Sequence, residues 1–222
     1  MPTECLILPA AAGKSSQGER GEPNMSEADP RFAKCFFDLT GNDPYPWQRE
    51  LFNRLANGQP PAALDVPTGL GKTGVIPIWL LAHLLGDRLK RPPMRLVYVV
   101  NRRTKVDQAT DEAVKLATRV AKGGPLHGQW LARFPDGPTA ISTLRGAPAD
   151  NGDWLLSPHR PTVIVGTVDM IGSRLLFGGY RTGRWQRSRH AGLIGWDTLL
   201  VHDEAHLSRS LSCSSACGSD RL

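Results

Sequence analysis

The sequence predicts an α/β fold, a parallel sheet flanked by crossover helices. Short β-branched runs recur at Leu96–Val100, Thr139–Leu144, Thr162–Val165 and Thr198–Val201. Stretches of helical period separate them, and strands alternating with helices build a parallel sheet. With 40% apolar residues among 222, the chain can bury one sizeable core, enough for one domain with trimmings.

Taken in order, residues 1–30 are rich in Ala, Gly, Ser, Glu and Pro without a sustained period and read as a flexible leader. Met25 offers a second start, which would leave the first 24 residues outside the native product. Globular character begins at Arg31 and extends to about 207. Trp47, Leu51 and Leu55 recur at helical spacing over Trp47–Ala56, with Pro46 as opener. The apolar run Ala62–Val66 reads as a strand, VPTGLGKT as a glycine turn and Val75–Leu85 as a helix. A further helix, Thr104–Val120, puts Val106, Ala109, Ala113, Ala117 and Val120 on one face. Stretches 122–138, 146–161 and 177–196 are long and Gly/Pro/Arg-rich, as functional or mobile loops are. The serine-rich segment 208–222 has no period and reads as a disordered or aberrant tail.

Composition narrows the class. The formal net charge is +6. No run approaches the ~20 apolar residues of a membrane span, and the N-terminus lacks the basic region of a signal peptide. Cys5, Cys35, Cys213 and Cys217 sit only near the two ends, which is no disulfide framework. A soluble protein of a reducing cytoplasm is the simplest expectation.

The sharpest motif is Val66–Thr73, VPTGLGKT. Phosphates need several converging backbone N–H groups, and glycines let the chain curl that tightly. The helix start behind the turn adds its positive end. Lys72 would reach the β- and γ-phosphates and Thr73 would hold Mg²⁺. Gly13-Lys14-Ser15 lacks the upstream glycines and a following helix, and is a chance likeness. The second anchor is LLVHDEAH, Leu199–His206, a buried strand delivering Asp203 and Glu204 at its carboxyl end, where α/β sheets bind ligands. Asp203 would serve the metal and Glu204 the attacking water. His202, His206, Cys213 and Cys217 have a loosely zinc-like spacing, a weaker reading.

From Met170 to Trp196 five arginines (Arg174, Arg181, Arg184, Arg187, Arg189) surround Trp185 without an acid. Arginines pair with phosphates and an aromatic stacks on unpaired bases. The bland alternative is a solvated basic loop with Trp185 packed beneath it.

Together these motifs resemble superfamily 2 helicases of the DEAH type. PYPWQ (Tyr45–Gln48 within it), VYVVNRRTKVDQA, ISTLRG and VIVGTVDMIGSRLLFGGY resemble their successive motifs. The wording of PYPWQ, TLRG, GTVDMIGSRLLF and LLVHDEAHLS resembles the CRISPR-associated helicase-nuclease of type I systems, subtype I-G or I-U, over about Phe36–Ser208. The resemblance implies a RecA-like first ATPase lobe. Gln48 would select adenine, while Thr68, Gly69, Gly71, Lys72 and Thr73 would hold ATP with Mg²⁺ at Thr73 and Asp203. His206 would couple nucleotide to the rest of the motor. Arg102, Arg103, Thr104, Arg145, Gly146 and Thr167 would face single-stranded DNA. It also implies recruitment by a guide-RNA surveillance complex.

Beyond Ser208 the sequence departs from that pattern. The strand expected after the acidic motif, the second lobe with its arginines and the nuclease domain have no counterpart, so a C-terminally truncated lobe is expected. Without the next strand, the acidic-motif strand would be an exposed edge. A missing arginine finger costs ~10³–10⁵ in rate, so weak or no turnover, and no unwinding or cleavage, is expected of this chain alone. A restriction-type translocase lobe and a non-enzymatic nucleotide- or DNA-binding remnant are the alternatives.

Overall fold

Three strands buried along their whole length, Arg95–Val100, Thr162–Thr167 and Thr198–Asp203, form the middle of the sheet. β2 (Arg95–Val100) and β5 (Thr198–Asp203) run parallel, with Leu96 opposite Leu199 and Val99 opposite His202. β4 (Thr162–Thr167) pairs with the other side of β2, and β3 (Ala140–Leu144) lies beyond it. β1 (Glu4–Leu8) pairs with β5, Glu4 opposite Leu199 and Leu8 opposite Asp203. The order is β1-β5-β2-β4-β3, parallel throughout. The computed structural model describes residues 30–64, 66, 69–121, 126–137, 139–144, 153–156, 158–179 and 182–203, and the backbone of 4–8.

Alternation along the strands divides the core in two, as a period of two residues requires. Leu96, Tyr98, Val100, Val163, Val165, Leu199 and Val201 face one cluster. Val97, Val99, Ile164 and Leu200 face the other. The larger cluster is covered by α1 (Pro30–Thr40), α2 (Pro46–Ala56), α3 (Val75–Leu85), α4 (Arg103–Ala121) and α5 (His127–Arg133). α3 is buried nearly all round, which is why its ten buried residues carry no polar stripe beyond His83. The smaller cluster lies under α6 (Asp153–Leu156), α7 (Val168–Leu175) and α8 (Arg187–Gly195), anchored by Trp154, Ile171 and Ile194.

At the amino end of the sheet, Arg95 is buried and donates to the carbonyls of Trp196 and Pro158, both at 2.9 Å. Arg91 pairs with Asp197 at 3.1 Å. Asp197 holds a left-handed φ of 53°, a conformation Asp tolerates better than most side chains.

The helices expected over 47–56, 75–85 and 104–120 are present, as are the four expected β-branched strands. Four expectations need correction. Among the described residues of Ala62–Val66 there is no strand of the sheet, and Ala63 makes an isolated bridge. Pro60 and Pro61 before it lack N–H donors and Pro67 follows, so the run cannot extend a regular ladder. The leader expected over 1–30 contributes β1, because ECLIL is apolar enough to fill a parallel slot. That same pairing covers β5, so the expected exposed edge is not there. Finally, the long stretches taken for loops contain α5, α6 and α8. Few buried side chains hold these short helices, Trp130 in α5, Trp154 in α6, and His190, Ala191 and Ile194 in α8, over too few turns to give a readable period.

Candidate nucleotide and strand site

The phosphate loop is built around two glycines whose φ only glycine adopts readily, 91° at Gly69 and 69° at Gly71. A 3-10 turn, Lys72–Gly74, leads into α3 and closes with Gly74 N–H donating to Gly71 O at 2.8 Å. Lys72 is buried and Thr73 half-buried. Thr68 lies outside the described residues.

α2 holds this loop from behind. The Trp47 indole N–H donates to Leu70 O at 3.2 Å, and Gln48 Nε2 donates to Gly71 O at 3.5 Å. Gln48 Oε1 accepts the Tyr45 N–H at 2.9 Å, so both ends of the buried amide are engaged. An adenine read by Gln48 would have to exchange with one of these bonds. The signal that could have shown the second role is the Trp-Gln pair at the start of α2, which places both side chains on one helical turn.

α3 orients the loop relative to the sheet. Trp79 Nε1 donates to Pro93 O at 2.9 Å, and His83 Nε2 meets the same carbonyl at 3.1 Å. Pro93 lies just before β2, so the second half of α3 sits at the amino end of that strand. Its start, and the 3-10 turn with Lys72 before it, are thereby directed to the carboxyl end, as in parallel α/β units.

Asp203 ends β5 at that carboxyl end and is buried. Lys105, in the first turn of α4, reaches to 3.9 Å from Asp203 Oδ2. His202 beside it is buried, which pushes its pKa down against the opposing pull of Asp203. Glu204 and His206 fall outside the described residues, as do Arg145, Gly146, Cys213 and Cys217. Thr73 and Asp203 offer hard oxygen donors, the chemistry that suits Mg²⁺.

The strand-side candidates follow neighbouring strands. Arg102, Arg103 and Thr104 are exposed just beyond β2. Thr167 ends β4 opposite Val100 and is buried, which leaves it little surface to offer. Of the five arginines, Arg174 is buried and donates to Met170 O at 3.1 Å, so its role is to hold α7. Arg184, Arg187 and Arg189 are exposed, and Arg189 also donates to Leu155 O. Trp185 is 93% exposed, which removes the alternative that it packs beneath the loop.

Fold and site define a P-loop α/β lobe of the ATP-binding helicase kind. The family model of DEAD/DEAH box helicases matches residues 45–217, and the chain belongs to that family. ATP-dependent helicase activity is the property of the family. Comparison with curated proteins finds no match. No helix among the described residues is long and apolar enough to cross a membrane.

Proposed function

We propose that this lobe binds Mg·ATP and works on single-stranded DNA as part of a CRISPR-type antiviral helicase. The observation that carries the nucleotide half is the clamped loop: Gly69 and Gly71 in left-handed φ, tied to α2 through Trp47 and Gln48. Lys72 would hold the β- and γ-phosphates, with Thr73 and Asp203 as oxygen ligands of Mg²⁺. The metal, when bound with ATP, neutralises charge on the β- and γ-phosphates. The chain's own contribution is to fix the phosphates with the turn's N–H groups and to keep the Asp203 carboxylate oriented at the end of a buried strand. Glu204 would position water, and His206 would couple nucleotide to strand.

The strand half rests on exposed Arg102, Arg103 and Thr104 beyond β2, and on the sequence resemblance of Arg145 and Gly146, which follow β3. The CRISPR assignment rests on sequence wording alone, in PYPWQ, TLRG, GTVDMIGSRLLF and LLVHDEAHLS. It carries with it a guide-RNA surveillance complex as partner.

The test is titration of a fluorescent ATP analogue into the purified 222-residue chain with Mg²⁺, beside Lys72→Ala. Saturable binding that Lys72→Ala weakens at least tenfold is expected. Equal binding by both, or none by either, would sink the nucleotide reading. Fluorescent DNA and RNA oligonucleotides then test the strand class, and preference for RNA or duplex would overturn single-stranded DNA. Binding to an R-loop formed by a type I guide-RNA complex, against a bare single strand, tests the CRISPR assignment.

A further inference from the structure

Lys105 occupies a position that the nucleotide and strand roles leave unexplained. It stands in the first turn of α4, between exposed Arg102, Arg103 and Thr104 and the buried Val106 that anchors the turn in the core. Its backbone N–H donates to Arg102 O at 3.1 Å, and Val106 N–H donates to the same carbonyl at 3.3 Å. Its ammonium lies 3.9 Å from Asp203 Oδ2. One residue thus touches both the carboxylate that ends β5 and the turn that carries the strand-side arginines.

We infer that Lys105 is a positioning residue that competes with the divalent cation for Asp203 and so couples nucleotide-metal binding to the first turn of α4. The inference rests on the Mg·ATP reading above. Asp203 exposes only a tenth of its side chain, whereas Lys105 exposes nearly half. Two cations close to one carboxylate repel each other, so Lys105 and a divalent ion at Asp203 would oppose one another. Lys105 is the more labile of the two partners, because its side chain is flexible and nearly half exposed. When it leaves, the tie between β5 and α4 is released, and the turn bonded to Arg102 O is no longer held from Asp203. Strand affinity then depends on whether Mg·nucleotide is bound.

The experiment compares wild type, Lys105→Met and Lys105→Arg in the full 222-residue chain. Two quantities are read: the Mg²⁺ concentration giving half-maximal binding of a non-hydrolysable fluorescent ATP analogue, and the Kd for a fluorescent oligo-dT with and without Mg·analogue. Lys105→Met should lower the Mg²⁺ midpoint by about two- to fivefold, the scale of a partly exposed ion pair. It should also bring the ratio of the two oligo-dT affinities toward one, while Lys105→Arg stays near wild type. Thermal unfolding checks the fold, and Lys105→Gln repeats the test should the Met variant aggregate. An unchanged midpoint in the neutral variants, with analogue binding intact, overturns the inference and spares the nucleotide reading. So does Lys105→Arg behaving like Lys105→Met, or a wild-type oligo-dT affinity indifferent to nucleotide. Wild type lacking Lys72-dependent analogue binding overturns both.

Discussion

The Gln48 amide fills the space into which a side chain at Gly74 would project: a Cβ there would lie 2.4 Å from Gln48 Nε2. The same nitrogen donates to Gly71 O. Loop geometry and helix α2 are therefore coupled through a side chain of α2 rather than of the loop itself.

Gly74→Ala should separate binding from folding. The displaced atom is the end of a flexible side chain, so the fold absorbs the change, but the Gln48–Gly71 bond is lost. With one hydrogen bond worth about 1 kcal/mol, affinity for the ATP analogue should fall about fivefold. Analogue titration beside a thermal melt checks this. An unaltered affinity would mean that the clamp does not shape the loop.

Trp47→Phe removes the donor to Leu70 O while keeping most of the ring in place. Analogue affinity should weaken by about two- to tenfold, on the scale of one hydrogen bond. Combined with Gln48→Leu, the loss should be less than additive, because both bonds hold the same turn. Full additivity in the double-mutant cycle would contradict a shared clamp.

Acid should destabilise the lobe in a defined window. Burial pushes the pKa of His83 from 6.5 down to about 3, and lowers those of His190 and His202. Each is harder to protonate folded than unfolded, so below 6.5 the unfolded chain binds more protons and stability falls with pH, for His83 down to about 3. Each such histidine adds at most one proton, about 1.4 kcal/mol per pH unit. Urea unfolding between pH 5 and 7.5 reads the slope, and His83→Leu should flatten it. A slope identical in that variant would refute the assignment.

Arg95→Met should cost stability without touching the phosphate loop. It strands the Trp196 and Pro158 carbonyls that the guanidinium now satisfies. The expected loss is about 2–4 kcal/mol. In a chain of this size that lowers Tm by about 5–12 °C. Calorimetry checks it, and a shift under 2 °C, roughly what 0.5–1 kcal/mol would produce, would mean that water replaces the fork.

Trp185→Ala tests the exposed aromatic among the arginines. With the ring 93% exposed, Tm should stay unchanged. Affinity for oligo-dT should fall, since stacking on one base is worth about 1–3 kcal/mol. Arg184→Gln with Arg187→Gln should instead flatten the dependence of binding on salt. Strand binding untouched by all three changes would remove this segment from the interface.

The sequence exposed the parts of the fold that repeat a period. Val97 and Val99 alternate with Leu96 and Tyr98, and Val106 to Val120 keep a helical stripe, so β2 and α4 were legible. α6 and α8 were not, because a single turn anchored by Trp154 and a short helix that buries only His190, Ala191 and Ile194 sit within Gly- and Arg-rich chain. Ala62–Val66 misled for the opposite reason: its composition suits a strand, but the prolines around it deny the ladder. At the site, Gly69, Gly71, Lys72 and Asp203 are visible as motif positions. The Lys105–Asp203 and Trp47–Leu70 pairs span distances in sequence that no local pattern encodes.

β1 and β5 pair almost the whole length of the chain apart, Glu4 against Leu199. On the ribosome, the partner of β1 therefore emerges long after β1 itself. At ~5–20 residues per second, the nascent Glu4–Leu8 segment waits about 10–40 s for its place. Throughout that interval a largely apolar pentapeptide is available to chaperones or to wrong partners, and β1 can join the sheet only after β5 has emerged.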